Sequence, residues 1–254
     1  MEQTNTKPGK RQIEPGCEVT QLVLALPEIN PFLEELMFNI YSPYPGLEER
    51  FAQSADSSFH EIAEKARDFK KTAFDDIPYW ESILIAASIN KEKFGFFIQE
   101  AIHHDSAREF SNRFEIPVSD LTDKLLQDHI ARLSNDTVLA LCSKCKLRDG
   151  SIGHIPMMDF RCLPSPENLD RVKAILKGLG QRNGAIVESG RSYHFYGFEL
   201  LDQNEWIRFL AQCLLLHPFT DSRYIAHRLI GGTCALRITA TKLKPKVPIV
   251  LDLM

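Results

Sequence analysis

The chain has 254 residues, 44% of them hydrophobic and 25% charged, with a formal net charge of −4. This is the composition of a soluble globular protein long enough for one large domain or two small ones. No apolar run approaches the roughly 20 residues that a membrane helix needs, which excludes a helical membrane protein. The six cysteines lie scattered through apolar sequence, a distribution that suits reduced thiols, so a cytoplasmic location is expected. From Thr137 onward 16 Lys and Arg stand against 10 Asp and Glu, whereas the residues before it hold 14 against 24. The C-terminal half is therefore the part that attracts phosphates.

Residues 1–17 read as a disordered leader: Met1 to Gly16 is polar, carries Lys7, Lys10 and Arg11, and lacks the apolar segment of a signal peptide. Residues 18–136 are dominated by helical periodicity. Phe32 to Ile40 places apolar residues at three- and four-residue steps, ended by Pro43 and Pro45. Ser58 to Lys70 is an amphipathic helix, and Pro78-Tyr79-Trp80 opens a longer one from Trp80 to His103. Ser119 is the expected N-cap of a helix over Leu121 to Leu133. This helical region has three readings: it clamps a template, docks a protein partner, or completes the core. His103-His104-Asp105 has metal-ligating chemistry, but adjacent histidines diverge at a helix end, and plain exposure accounts for them.

At Thr137 the texture changes to strands joined by turns and helices, continuing to Met254. Thr137 to Arg148 and Ile152 to Leu163 flank Asp149-Gly150-Ser151, and Asp-Gly is the pair that a type I′ hairpin turn prefers. Ser165-Pro166-Glu167 starts a helix with the N-cap and first-turn proline in their favoured places. Gly184 to Gly190 and Tyr193 to Leu200 form a second hairpin. Asp202-x-x-Glu205 is a capping box for a helix burying Trp206, Phe209, Leu210 and Leu214. Asp221 caps a shorter helix closed by Gly231-Gly232, and Cys234 to Ala240 and Val247 to Leu251 are the last strands. The expected fold class is α+β: a mixed or antiparallel β-sheet core with flanking helices, preceded by a helix-rich N-terminal half. No Gly/Ser-rich or Pro-rich linker separates the halves, so they are expected to pack as one unit.

Cys142-Ser143-Lys144-Cys145, with His154 and Cys162, has zinc-ligand chemistry. A strand over Thr137 to Leu147 instead points Cys142 and Cys145 to opposite faces.

Three stretches carry the polar chemistry. Asp159 ends the apolar run Ile155-Pro156-Met157-Met158, and a carboxylate so placed must be ion-paired, hydrogen-bonded or metal-bound. Strand alternation lines up Met157, Asp159 and Arg161 on one side. Arg191, Ser192 and His194 all donate hydrogen bonds, which suits a polyphosphate, although a surface hairpin with a packed histidine needs no ligand. Asp221 has a sufficient role as an N-cap, while Arg223, His227, Arg228 and Arg237 bring donors to its neighbourhood.

Together these residues resemble the archaeo-eukaryotic primase superfamily, whose members include primase-polymerases. That family has an apolar strand ending in Asp-x-Asp or Asp-x-Glu, then a Ser-x-His triplet, then an Asp after an apolar segment. Asp159 matches the second acidic position, Ser192 and His194 the triplet, and Asp221 the third motif. Arg237 looks like the basic residue that follows on a later strand. The resemblance covers about Thr137 to Met254. It implies that Asp159 and Asp221 are catalytic and bind Mg2+ or Mn2+, and that Arg191, Ser192, His194, Arg223 and Arg237 bind a nucleoside triphosphate for addition to nucleic acid. Met157 stands where the family's first metal-binding Asp belongs, and a thioether does not hold magnesium. Either Glu188, Glu199 or another carboxylate substitutes, or the fold has outlived the reaction. The alternatives are thus a divergent nucleotidyltransferase, a degenerate module binding nucleic acid or nucleotides, and a protein-interaction scaffold.

Overall fold

The structure, a computed structural model, describes residues 13–42, 57–73, 79–89, 93–103 and 111–254. The chain divides into two compact units, residues 43–105 and the remainder, residues 1–42 with 106–254.

The unit within residues 43–105 is helical. Helices α2 (Ser57–Ala73), α3 (Tyr79–Ile89) and α4 (Phe94–Ile102) bury Ile62, Ala63, Ala66, Ile83, Ala86, Ala87 and Phe97. The alanines let α2 and α3 approach closely, and Phe59 meets the Phe97 ring edge-on at 5.5 Å. The single helix expected from Trp80 to His103 is two helices. The polar run Asn90 to Lys93 interrupts its apolar face in the sequence. His103 has extended backbone as the C-cap of α4, while His104 and Asp105 lie outside the described residues.

The larger unit is α+β, with two antiparallel sheets. Its elements are α1 (Val19–Ile29), β1 (Leu33–Tyr41), β2 (Arg113–Pro117), α5 (Asp123–Ala131), β3 (Val138–Leu147), β4 (Ile152–His154), β5 (Met157–Asp159), α6 (Pro166–Gly178), β6 (Gly184–Glu188), β7 (Tyr193–Gly197), α7 (Gln203–Leu214), α8 (Ser222–Gly231), β8 (Ala235–Arg237) and β9 (Ile249–Leu253). One sheet runs β2-β1-β3, with β4 and β8 end to end along the far edge of β3; the other runs β5-β7-β6-β9. One apolar cluster spans both sheets and includes Leu36, Phe38, Leu139, Ile155, Phe195 and Trp206.

The segment Phe32 to Ile40 is not a helix: Leu33 to Tyr41 is strand β1. Between Leu33↔Leu147 and Glu35↔Lys146 the β1 chain advances two residues while β3 advances one, so Glu34 is an extra residue. That bulge puts Leu33 and Leu36 both inside, three apart, and so imitates helical spacing. The same strand, from the N-terminal half, pairs with β3, so the change of texture at Thr137 does not mark a break in hydrogen bonding. Of residues 1–17, read as a leader, 1–12 lie outside the described residues. Gly16 and Cys17 are ordered, the Gly16 N–H donating to Val250 O at 2.7 Å and Cys17 O accepting from Val250.

The N-cap of α5 is Thr122 rather than Ser119: its hydroxyl accepts from the Leu125 N–H, while Ser119 donates to Asp120. The β3–β4 turn is also of another type. Only Gly150 has positive φ, at 84°, and a type I′ turn needs two such residues. The Gly150 N–H donates to Leu147 O and the Leu147 N–H to Ser151 O, a type I turn with a glycine bulge. The strand expected from Ile152 to Leu163 breaks at Ile155-Pro156, because proline offers no N–H to a ladder. Its first part stays with β3 and its second joins β7 in the other sheet. Cys142 and Cys145 are buried in different apolar clusters and form no disulfide.

Candidate functional site

The polar stretches converge through strand register. In the β5–β7 ladder Asp159 lies across from His194, and Met157 across from Tyr196. On the other side of β5 an isolated bridge joins Phe160 to Thr220, and the Arg161 N–H donates to Phe219 O at 2.8 Å. Carried one residue on, that antiparallel register sets Asp221 against Asp159, and the Asp221 charge acts on the Asp159 carboxyl. Directly opposed residues share a sheet face, so Asp221, Asp159 and His194 form one row, with Val187 next to His194. Ser192, two residues before His194, donates to Asp159 Oδ1 at 3.0 Å and stands 3.0 Å from the Ser189 hydroxyl.

Local sequence explains each position. Gly190, at φ 101°, turns β6 into β7, and there a Cβ would lie 3.4 Å from the Lys246 Cβ. Tyr193 points to the opposite face, where its hydroxyl donates to Ser165 O at 2.9 Å and accepts from the Ser165 N–H, tying the start of α6 to β7. Asp221 Oδ1 accepts from the N–H groups of Arg223 and Tyr224 at 3.0 and 2.9 Å, the N-cap expected of it. Thr220 fixes the approach by donating to Cys213 O at the end of α7.

Burial pushes the Asp159 carboxyl up to about 6; Lys244, the Ser192 hydroxyl and Arg237 oppose this rise, and Asp221 adds to it. Its side chain keeps 27% exposure, so the carboxyl is partly wetted at the rim of the row. Burial drives His194 the other way, well below the ordinary imidazole range, helped by the positive charges of Arg237 and Lys244. The ring is thus neutral at pH 7. Its Nε2 lies 3.8 Å from Asp159 Oδ1, beyond hydrogen-bonding range, and its Nδ1 is buried with no hydrogen-bond partner among the described residues. The Tyr196 hydroxyl, on the same face, is also buried without such a partner.

The remaining residues singled out from the sequence sit around this row. Arg191 is exposed in the β6–β7 turn, and Arg223 is half-buried in the first turn of α8. Arg237 is only 5% exposed: Nη1 donates to the carbonyls of Thr239 and Lys246, both at 2.8 Å, and Nη2 to Ser189 O. Lys244 and Tyr196 did not emerge as site residues from the sequence. The alternation Lys242-x-Lys244-x-Lys246 was a signal for the first, and the step of two from His194 for the second.

A divalent metal requires clustered oxygen donors. Asp159 and Asp221 are the two carboxylates of the row, oxygen donors of the kind that a hard cation takes. A two-metal centre does not fit. Met157 is fully buried, its carbonyl accepts from the Cys234 thiol at 3.6 Å, and among the described residues no group of three or more His, Cys, Asp and Glu could hold a metal. Neither proposed substitute replaces it. Glu188 shares its rung with Tyr193, hence the opposite face, and lies 3.6 Å from Lys246. Glu199 is exposed beyond the far end of β7 and accepts from Asn183.

Two antiparallel sheets, with an Asp and a Ser-x-His on adjacent strands and a second Asp brought beside them by a helix cap, define a primase-like module. Residues 117–249 match the family described as archaeo-eukaryotic primase 1D-like. The match spans more than half of the chain, which belongs to this family. No curated protein and no solved structure matches it. Among the described residues no helix is long and apolar enough to cross a membrane.

Proposed function

We propose that this chain is a degenerate primase-like module that binds the phosphates of a nucleotide or of nucleic acid at the Asp159 row, without sustained nucleotidyl transfer. The observation that carries this reading is the contrast within one sheet face. Asp221, Asp159, Ser192 and His194 are assembled, while the adjoining place is filled by the dry thioether of Met157 under Tyr196. Phosphate binding needs donors and at most one cation, whereas in-line transfer between two metals needs the missing carboxylate.

In this reading Asp159 and Asp221 hold one Mg2+ or Mn2+, whose charge offsets that of bound phosphate oxygens. Ser192 keeps the Asp159 carboxylate oriented. Neutral His194 offers Nδ1 or Nε2 to the ligand according to its tautomer. Arg191 and Arg223 flank the row as further phosphate donors.

The assembled row also supports a second reading, slow nucleotidyl transfer from a one-cation site. Both are tested by equilibrium binding of ATP and of a labelled oligonucleotide, together with nucleotide incorporation on a primed template, in Mg2+ and in Mn2+. Binding weakened by His194→Ala, without incorporation, is the expected result. Incorporation that is abolished by Asp159→Asn establishes the second reading instead. Absence of all binding refutes both and leaves a protein-interaction scaffold.

A further inference from the structure

Arg237 and the loop after it present a different use of positive charge from the one the motif order implies. Both guanidinium Nη atoms are engaged by backbone carbonyls from three separate segments: Ser189 in the β6–β7 turn, Thr239 just after β8, and Lys246 just before β9. The loop between the last two contains Lys242, Lys244 and Lys246, all exposed. It is folded on itself, since the Thr241 N–H donates to Lys244 O at 2.9 Å, and the Lys244 N–H reaches the Thr241 carbonyl and hydroxyl at 3.1 Å each. Thr241, Lys242 and Pro245 wall a cavity of about 650 Å3 on one side of the loop, whereas Lys244 and Lys246 do not line it. The positive charge of Lys244 is felt by both Asp159 and His194. Lys246 lies against Gly190 and 3.6 Å from Glu188.

We propose that Lys244 is the residue that contacts ligand phosphate at the Asp159 row, and that Arg237 is a positioning residue, clamping the lysine loop against the β6–β7 turn. This rests on the phosphate-binding reading above and sharpens it. A guanidinium that is 5% exposed, with both Nη atoms on carbonyls and its Nε buried, presents little surface to a ligand, while an exposed ammonium on the clamped loop, whose charge reaches Asp159, adds a mobile phosphate partner. Lys246 lies beside Glu188, whose side chain is on the other face of the sheet, and is not assigned to the row.

The test measures binding of ATP with Mg2+ and, separately, of a fluorescein-labelled single-stranded oligothymidylate across a salt series. The variants are Lys244→Ala, Lys244→Arg, Arg237→Ala and the Lys244→Ala/Arg237→Ala pair. Lys244→Ala is expected to weaken binding about tenfold, the loss of one charged hydrogen bond, and Lys244→Arg to retain most of it. For the oligonucleotide, the slope of log affinity against log salt is expected to become shallower by about 0.7. Loss confined to ATP assigns the phosphate to a nucleotide, and loss confined to the oligonucleotide assigns it to a polynucleotide chain. Arg237→Ala is expected to remove the effect of Lys244→Ala, so that the pair binds no more weakly than Arg237→Ala alone; a merely structural Arg237 would leave the two losses additive. If wild-type protein binds but Lys244→Ala binds equally well with an unchanged slope, the assignment of Lys244 is overturned while the phosphate-binding reading stands. Wild-type protein that binds neither probe overturns both. Lys244 is exposed, so its variants decide the question even where Arg237→Ala fails to fold.

Discussion

Asp159 and His194 occupy one rung of the β5–β7 ladder, and burial moves their proton affinities in opposite directions. The carboxyl gains affinity for its proton and the imidazole loses it, so the rung favours two neutral side chains over an ion pair. The 3.8 Å separation between Nε2 and Oδ1 agrees.

This gives a pH signature. The Asp159 carboxyl titrates near 6 when folded and near 3.8 otherwise. Its folded-state penalty is therefore absent below about pH 4 and complete above about pH 7. Linkage sets an upper bound of about 3 kcal/mol, which the wetted part of the carboxyl reduces to about 1–2 kcal/mol. Asp159→Asn keeps an acceptor for Ser192 and removes the charge. Thermal melts should show it more stable than wild type at pH 8 and equal at pH 4. His194, held neutral, opposes this trend, since stability falls as pH drops below about 6.5. A gain from Asp159→Asn that is constant across pH would mean that Asp159 titrates normally.

Met157→Asp is expected to destabilise the fold by roughly 3 kcal/mol, because the site is fully buried and offers the new charge no partner. Melting in chelator and again in Mn2+ measures it. Part of the loss should return with Mn2+, as the added carboxylate enlarges the donor set beside Asp159. A melt unchanged in chelator would contradict a dry Met157.

Asp221 is a helix N-cap, and the cation-binding role proposed for it is separable from capping. Asparagine caps a helix about as well as aspartate, so Asp221→Asn should cost at most a few tenths of a kcal/mol, while Asp221→Ala loses about 1 kcal/mol. Cation-dependent ATP binding should fall in both. If Asp221→Asn binds ATP normally, capping is its whole function.

Much of this was legible in the sequence because capping is local. Ser165 with Pro166, Asp202 with Glu205, and Asp221 each bond within a few residues, and each helix starts where its cap predicts. The row of Asp159, His194 and Asp221 was legible as an order of motifs, since register brings such strands together. Local signals also misled, since the cap expected at Ser119 is Thr122 and the Asp149-Gly150 turn is not type I′, but the failures that reshape the fold depended on distant partners. The extra residue Glu34 is defined only against β3, and Pro156 divides a strand only because β7 receives its second part. The carbonyls that engage Arg237, read from the sequence as a basic residue on a later strand, belong to residues 189, 239 and 246, and no local pattern points to them.

Gly184 is expected to tolerate no side chain. A Cβ there would lie 2.5 Å from Phe195 Cε2 and 2.7 Å from the Tyr196 carbonyl oxygen. Both belong to the packed β6–β7 pair, so Gly184→Ala should cost about 1–3 kcal/mol in chemical denaturation. A neutral substitution would show that β7 can slide, and with it His194.

The short run from Ile152 to Asp159 is held by both sheets, and the Pro156 carbonyl accepts from Gly197 immediately after the chain crosses. Neither layer can peel away without pulling on the other. Amide protons of β3 and β7 should therefore exchange with solvent through a shared opening event, at similar opening free energy. The β6–β7 hairpin, excised with its Ser-x-His, would leave Asp159 behind, since β5 is a separate strand tethered through Pro156 to β4 in the neighbouring layer.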